Sequence, residues 1–374
     1  MSRRTLPVIL WFAFLAACGQ AVPATPLPSE TQGPILEPFI PSATLTPTWT
    51  VQEPPTLAED TPTAQATPTP LPLPTMTTSA MQLFFPTVVP AEGAEYRPPL
   101  YPVPWALSPN DHFYFTRPIS AFYPSEPVWD YRYGGIYFGP DVIHSGIDLP
   151  APRGTDVLAA GPGTVVWAGV GLFTGSPYNV KDPYGLVVAI RHDFGYNNLP
   201  LYTVYAHLDE IDVALGQWLD TGDVLGNVGS TGNTTGPHLH FEVRLGKNDF
   251  WSTRNPELWI APPQGTGVLV GRIMNRTGWP LHTYLVMLKD LATGKNYVLK
   301  TYAELTAIAD PYYNENVAIG DLPAGLYEIN IPYGSLNRLA TIQIYPGQIN
   351  YFAFYGYGGY DFAPPEQQLS TPIP

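Results

Sequence analysis

The sequence predicts an all-β protein: an antiparallel β-sheet domain and then a small β-sandwich, both preceded by a disordered segment. Short apolar runs alternate with glycine-rich turns from about residue 142 onward, and several runs have the period of two that is typical of strands. No amphipathic helix of any length competes with these runs. The 34 glycines and 24 tyrosines, with few heptads, also favour strands over helices. The 45 prolines are unevenly spread, which separates the unfolded part of the chain from the folded part.

Residues 1–18 have the features of an export signal. Arg3 and Arg4 supply positive charge, and a short apolar run follows that is too short for a stable membrane span. The run ends at Cys18 after small residues, which resembles a bacterial lipobox, whose cysteine is lipidated and anchors the mature chain to a membrane. The alternative is an ordinary cleaved signal with an incidental cysteine. We expect an exported, membrane-anchored lipoprotein that faces the cell wall or periplasm.

Residues 19–97 are dominated by proline, threonine, alanine and serine, and cannot bury enough apolar surface to offset the entropy of ordering. We predict a disordered, partly polyproline linker that holds the folded part away from the membrane. The formal net charge of −14 and the lack of a basic stripe argue against nucleic acid as a partner. Cys18 is the only cysteine, so no disulfide can form within the chain.

The folded part divides into two predicted domains and a tail. Residues 98–263 form the first domain, which begins with an aromatic-rich N-terminal extension at 98–140 that has no clear period. A polar loop is predicted at Leu172–Tyr184, and strands are predicted at Asp156–Ala160, Gly163–Val170, Gly185–Arg191, Leu201–Leu208, Asp223–Val228 and His238–Leu245. Residues 264–362 have the pattern of a β-sandwich, with a strand at Gly267–Ile273, a tight turn and strand within Asp321–Ile329, and a strand at Leu339–Tyr345. Residues 363–374 are predicted to be a disordered tail.

The stretch at 236–244 alternates apolar and polar side chains and is predicted to be a strand. Side chains two apart on a strand project from the same face, so His238 and His240 stand side by side. Imidazoles ligate zinc and titrate near neutrality, so the pair suits a metal site or a proton relay. The alternative is two surface histidines on a half-exposed strand.

Two upstream motifs add candidate ligands. His144 and Asp148 lie four residues apart, and Gly146 between them permits a bend that lets both side chains reach one point. His207 follows on another strand-like run. A histidine, an aspartate and a later histidine make a three-ligand set with an open position, which is typical of catalytic rather than structural zinc.

These motifs resemble, in order and spacing, those of LytM/lysostaphin-type zinc endopeptidases. The matching stretches within Val142–Leu245 are His144–Leu149, Gly154–Val166, Tyr205–Leu208, Gly226–Gly232 and Thr235–Glu242. The resemblance implies a lysostaphin-like antiparallel sheet and one zinc ion per domain, held by His144, Asp148 and His240. It makes His207 and His238 the catalytic pair without deciding which of the two is the general base. All five residues are present, which disfavours the non-catalytic branch of the family.

The resemblance and the export signal together predict a zinc metalloendopeptidase that hydrolyses peptide bonds in peptidoglycan stem peptides or cross-bridges. The alternative is a non-catalytic envelope lipoprotein that uses the same fold to bind peptidoglycan or activate an amidase. A third hypothesis is cleavage of another exported protein. The loop Leu172–Tyr184 departs from compact family members and is expected to reshape the substrate groove. In the second domain, the stretches Gly271–Ile273, Gly278–Leu281 and Leu322–Tyr327 resemble those of carboxypeptidase-regulatory-like or Cna-B-like modules. Such modules space or bind more often than they catalyse.

Other polar residues are expected to have structural roles. Glu242 shares a strand face with His240, but the resemblance makes it a partner of neighbours such as Arg244 rather than a ligand. His192 lies at a predicted strand end and is expected to be structural or exposed. His112 and His282 lie outside the motifs and are expected at the surface.

Overall fold

The computed structural model describes residues 94–95, 103, 110–122, 131–136, 143–303 and 307–366. The predicted signal peptide, Cys18 with its predicted lipid anchor, and most of the predicted linker and tail lie outside these residues. Within the described ranges, no helix is long and apolar enough to cross a membrane. The regular structure of the described chain consists of strands and short 3-10 helices without an α-helix, which confirms the all-β prediction.

The first folded part is built on a nine-stranded antiparallel sheet. Strands β1 and β2, Ala94–Glu95 and Ala121–Phe122, pair separately, so a short strand lies near the end of the predicted linker. The nine strands are β3 Ile147–Pro150, β4 Asp156–Leu158, β5 Gly163–Gly169, β6 Leu186–Tyr196, β7 Leu199–Ile211, β8 Trp218–Leu219, β9 Val224–Val228, β10 His238–Leu245 and β11 Thr253–Arg254. Hydrogen-bonded neighbours run β11-β10-β7-β6-β5-β8, with β3 paired to β10 and β9 paired to both β4 and β7. All the strands predicted in this part are therefore present, and β10 has its predicted bounds.

Strands β6 and β7 form a longer hairpin than the sequence predicted. Strand β6 continues past its predicted end at Arg191 because the turn is made farther along, by Asn197 and Asn198. These two residues have φ angles of 50° and 61°. Asparagine tolerates this left-handed conformation, and a two-residue turn of this kind matches the twist of a hairpin.

Strand β10 is buried along nearly its whole length. It pairs with β7 at one edge and with β3 and β11 at the other. Leu239, Phe241 and Val243 enter the hydrophobic core on one face of the sheet. The alternation of the strand therefore leaves His238 and His240 on the opposite face, as the period of two predicted.

The second folded part is a sandwich of two four-stranded sheets, as predicted. Its strands are β12 Thr266–Met274, β13 Leu285–Asp290, β14 Asn296–Lys300, β15 Val317–Pro323, β16 Gly325–Tyr333, β17 Leu336–Ile344, β18 Ile349–Tyr355 and β19 Tyr360–Asp361. One sheet has the order β15-β12-β18-β19 and the other β14-β13-β16-β17. The predicted tight turn is the single residue Ala324 between β15 and β16. Three 3-10 helices complete the described structure, at Phe250–Ser252, Pro256–Leu258 and Gly356–Gly358.

The sheet that contains β12 is covered on both of its faces. Leu269 and Phe352 belong to the core between the two sheets of the sandwich. Val268, Val270 and Ala318 instead join the hydrophobic core of the first folded part. The two folded parts therefore share a hydrophobic core and pack directly against each other.

The prediction that His112 lies at the surface is wrong. Its side chain is 0% exposed, its ring centroid lies 4.0 Å from that of Trp259, and its Nε2 lies 3.4 Å from Asp310 Oδ2. His112 belongs to the N-terminal extension, which packs here against residues of both folded parts. The extension has no sequence period, so no pattern indicated which of its side chains are buried.

Candidate metal centre

His144, Asp148 and His240 bring three donor atoms together on the face of the sheet opposite the core. The distances are 3.0 Å between His144 Nε2 and Asp148 Oδ1, 3.0 Å between His144 Nε2 and His240 Nδ1, and 2.9 Å between His240 Nδ1 and Asp148 Oδ1. All three residues are buried, and together they form a group that can hold a metal ion. The three ligands inferred from the sequence therefore meet at one point.

Strand pairing and one glycine explain how these side chains meet. Strand β3 pairs with β10 in the register that sets Asp148 opposite His240. Just before β3 the chain passes so close to β10 that a Cβ on Gly146 would lie 2.3 Å from Phe241 O. Only glycine fits at this contact, and the close approach brings His144 to the same point.

The ring protons of both histidines are directed away from the three donor atoms. His144 Nδ1 lies 3.1 Å from Arg132 O, and His240 Nε2 lies 3.1 Å from Glu242 Oε1. Because a carbonyl and a carboxylate can only accept, we assign the protons to these nitrogens. When both rings are neutral, two nitrogen lone pairs and a carboxylate oxygen converge with no proton between them, an arrangement that a cation stabilises. Two imidazole nitrogens and a carboxylate oxygen are suitable zinc ligands.

The pKa shifts of the same residues show that the cluster attracts positive charge. Burial alone would raise the pKa of Asp148, but His144 and His240 hold it well below its usual range. Burial alone would lower the pKa of His240, but hydrogen bonds and charge from Asp148 and Glu242 raise it to about 9. A metal ion in this position supplies the charge that a proton would otherwise supply.

Glu242 fixes His240 from the side away from the donor cluster. Its Oε1 also accepts hydrogen bonds from Ser145 Oγ and Tyr184 OH, and its Oε2 accepts one from Arg244 Nε at 2.7 Å. Burial would raise the pKa of Glu242, but Arg244 and His240 hold it well below its usual range. Glu242 is therefore an ionised partner of both Arg244 and His240, as expected.

His207 and His238 lie beside the donor cluster with their ring centroids 4.9 Å apart. His207 Nδ1 donates to Thr231 O and His238 Nδ1 donates to Gly236 O, both at 2.8 Å, which leaves Nε2 of each ring as an acceptor. Burial lowers the pKa of both imidazoles, to about 3 for His207, and Asp148 opposes this lowering at His238. His207 has a φ of 64°, a conformation that costs free energy in a residue other than glycine. All five residues singled out by the sequence thus form one site.

Two cavities adjoin this site. The larger, of about 300 Å³, is lined by His144, Asp148, His207, His240, Ile143, Ser145, Phe173, Pro183, Tyr184, Asn233 and Phe250. The smaller, of about 200 Å³, is lined by Asp148, His238, Tyr131, Pro150, Thr235, Gly236 and Pro237. Apart from the site residues, no charged side chain lines either cavity in the described part of the chain.

The loop predicted at Leu172–Tyr184 contributes Phe173, Pro183 and Tyr184 to one wall of the larger cavity. Asp182 is buried and accepts hydrogen bonds from Thr174 N at 2.9 Å and Thr174 Oγ1 at 2.8 Å, which closes the loop on itself. The loop places the ring of Phe173 against Tyr184 and against Phe250, at centroid distances of 5.5 and 5.7 Å. These aromatic rings make the wall of the cavity apolar.

His192 and His282, for which the sequence predicted no catalytic role, lie away from the site. His192 is buried within β6, and its Nε2 lies 2.8 Å from Thr203 Oγ1, which is a structural role. His282 is exposed, as expected.

Three contributors to the site were not identified from the sequence. Ser145 and Tyr184 both donate hydrogen bonds to Glu242. Ser145 lies inside the first motif and Tyr184 ends the predicted loop, and only these positions in the sequence could have indicated their roles. Arg132 contributes its backbone carbonyl, so its residue type carried no signal.

One family model and several relatives match the region that holds this site. Residues 142–251 match the model described as Peptidase family M23. The chain is 42% identical over 103 residues to "DD-carboxypeptidase/endopeptidase Mpg" of Neisseria meningitidis serogroup B, which covers 28% of this chain and 20% of that protein. It is 38% identical over 115 residues to "Peptidoglycan DD-endopeptidase ShyC" of Vibrio cholerae, which covers 30% and 25%. It is 35% identical over 130 residues to "Uncharacterized lipoprotein YgeR" of Escherichia coli, which covers 35% and 44%. The chain thus spans less than half the length of each of these relatives.

Proposed function

We propose that the protein is a zinc-dependent endopeptidase that hydrolyses peptide bonds in peptidoglycan stem peptides or cross-bridges. The match of residues 142–251 to the model of Peptidase family M23 supports this proposal. The observation that carries this proposal is the convergence of His144 Nε2, Asp148 Oδ1 and His240 Nδ1 beside two further histidines. The names of Mpg and ShyC support endopeptidase activity, and the name of ShyC supports peptidoglycan as the substrate.

His144, Asp148 and His240 would hold one zinc ion through the three atoms whose lone pairs converge. Bound zinc polarises a carbonyl oxygen and lowers the pKa of a water molecule toward neutrality. Three protein ligands would leave one coordination position open. All three residues line the larger cavity. Glu242 Oε1 and Arg132 O hold the two imidazoles in the tautomers that ligation requires.

His207 and His238 would manage the proton that moves during hydrolysis. Their Nδ1 protons are committed to backbone carbonyls, so each ring acts through Nε2. His207 Nε2 accepts the proton of the attacking water and returns it to the leaving amine. His238 Nε2 lies 3.4 Å from Asp148 Oδ2, and the Asp148 charge opposes the lowering of the His238 pKa by burial. The protonated fraction of His238 would donate from Nε2 to the developing oxyanion.

The cell envelope is the proposed location. The export signal at 1–18 and the lipoprotein relative YgeR support a lipid anchor on Cys18. The linker at 19–97 would then give the folded part the reach that it needs to meet the cell wall. This location agrees with peptidoglycan as the substrate.

The test uses the full chain, purified in a nonionic detergent and incubated with purified peptidoglycan, with and without a zinc chelator. Mass spectrometry of the released fragments identifies the bond that is cleaved. We expect chelator-sensitive release of new peptide termini that is lost in His207→Ala. The matched control is His282→Ala, which removes an exposed histidine in the sandwich and should retain activity.

The other outcomes separate the competing functions. If the protein binds zinc and cleaves a glycine-rich polypeptide but releases nothing from peptidoglycan, the proposed substrate would be wrong and the proposed peptidase activity would stand. No release and no bound zinc would overturn the proposal in favour of a non-catalytic envelope protein.

A further inference from the structure

His144 Nδ1, the ring nitrogen that faces away from the donor cluster, forms a hydrogen bond with a short segment of the N-terminal extension. We name this segment, residues 131–136, the strap. Arg132 O accepts the hydrogen bond from His144 Nδ1 at 3.1 Å. Gly134 N donates to His144 O at 2.9 Å, and His144 N donates to Gly135 O at 2.7 Å. The strap therefore contacts the ring of His144 and both polar groups of its backbone. Its position determines where the ring lies.

The C-terminal sandwich holds the same strap from another side. Ala303 N donates to Gly134 O at 3.0 Å, so Gly134 bonds to His144 through its N–H and to the sandwich through its carbonyl. Ile308 N donates to Tyr133 OH at 2.9 Å. The ring of Tyr133 also meets that of Tyr302 edge-on, with centroids 5.4 Å apart.

Gly134 fits closely against Tyr302. Its φ is 78°, and a Cβ added at this position would lie 2.7 Å from Tyr302 Cδ1. The Tyr302 ring is buried, and its hydroxyl donates to Glu315 Oε1 at 3.0 Å and accepts from Asn255 Nδ2 at 2.7 Å. Two hydrogen bonds therefore hold the hydroxyl of this buried ring, which cannot easily withdraw from the strap.

A buried ion pair makes a second connection between the strap and the sandwich. Arg132, whose carbonyl holds His144, pairs through its guanidinium with Glu257. Glu257 Oε1 also accepts a hydrogen bond from Gly320 N, in strand β15, at 2.7 Å. Arg132 and Gly134 thus each link the metal ligand His144 to the sandwich.

We propose that the C-terminal sandwich positions the metal ligand His144 through the strap, with Gly134 and Tyr302 as positioning residues. The inference rests on the proposed function in that it takes His144 to hold a metal ion. Outer partners of metal-binding histidines fix ring orientation, and their loss lowers metal affinity by about 10- to 100-fold. The coupling is reciprocal, so a metal ion bound at His144 also stabilises the strap and its contacts with the sandwich.

The test measures zinc affinity of the full chain by competition with a chromogenic chelator. Gly134→Ala inserts a methyl group against Tyr302 and should weaken zinc binding by about 10- to 100-fold. The matched control is Gly294→Ala, which has a similar φ of 74° but nothing within 4 Å of the added Cβ. Gly294→Ala introduces the same kind of backbone strain in the sandwich and should bind zinc like the wild type.

Hydrogen exchange on the wild-type chain gives a second measurement that requires no variant. Addition of zinc should slow exchange of the Gly134 and Ala303 amides and leave the amides of β17 unchanged. Equal zinc affinity in Gly134→Ala and the wild type, or no change in exchange at Gly134 and Ala303, would overturn the inference while leaving the peptidase intact. A wild-type chain that binds no zinc would instead overturn the proposed function, and this inference with it.

Discussion

Replacement of Glu242 by glutamine tests the ionic network that supports His240. The substitution keeps the shape of the side chain and its hydrogen-bonding carbonyl but removes the negative charge. Arg244, which is 2% exposed, is then left as a buried cation beside a neutral amide. The ring of His240 also loses an anionic partner for its Nε2 proton.

The burial of both groups sets the size of the expected effect. Glu242 is 0% exposed, so water screens the pair very little. Removing one partner of a buried ion pair costs about 3 kcal/mol or more. For a folded unit of this size, about 3 kcal/mol corresponds to a fall of about 6 to 12 °C in melting temperature. Loss of an outer carboxylate should also weaken metal binding by about 10-fold or more.

Thermal unfolding and zinc competition measure the two effects separately. We expect Glu242→Gln to lower both the melting temperature of the metal-free chain and the zinc affinity. Asp209→Asn is the control, because it neutralises one partner of the exposed ion pair with Arg153 and should leave both quantities unchanged. A Glu242→Gln chain with the wild-type melting temperature and zinc affinity would refute the role assigned to the network.

Three further predictions concern the rest of the molecule. Burial, with Asp310 nearby, raises the pKa of Glu315 from 4.5 to about 8. Between these values the folded chain keeps a proton that the unfolded chain has released, so stability falls as pH rises through this window. Glu315→Gln should reduce that fall in melting-temperature measurements, and an unchanged slope would contradict the assignment. A fragment that ends at residue 263 lacks Val268 and Val270 of the shared core. It should therefore unfold at a lower temperature and less cooperatively than the full chain, and an equal melting temperature and cooperativity would argue against a shared core. Phe250→Ala removes an aromatic wall of the larger cavity and should raise KM for peptidoglycan fragments about fivefold with a smaller change in kcat, since Phe250 does not contact the donor atoms; an unchanged KM would exclude substrate contact there.

The strands and the site could be predicted wherever side-chain pattern and spacing carried the information. Strand β10 was predicted with its bounds because Leu239, Phe241 and Val243 alternate with polar residues. The same alternation placed His238 and His240 on one face. Spacing and residue type made His144, Asp148 and His207 candidates, but their assignment to one site with His240 came from a family resemblance. Their convergence depends on long-range strand pairing that no local pattern reveals.

The contacts that the sequence did not reveal are those without a side-chain pattern. The strap contacts His144 through backbone groups of Arg132 and Gly134. Because nearly every residue carries the same backbone groups, the residue types in the sequence do not indicate these contacts. The burial of His112 depends on packing between an aperiodic extension and two separate folded parts. The shared core could not be predicted either. The sequence of β12 is apolar on both faces of the strand, but it does not show what covers each face.

The most direct test of the central claim is the zinc content of the purified full chain, measured by elemental analysis for the wild type and for His240→Ala. We predict one zinc ion per wild-type chain and a loss of that zinc in His240→Ala, with the fold of the variant retained by circular dichroism. A wild-type chain that is folded but takes up no zinc, or a His240→Ala chain that binds zinc as tightly as the wild type, would contradict the assignment of this site as a zinc centre.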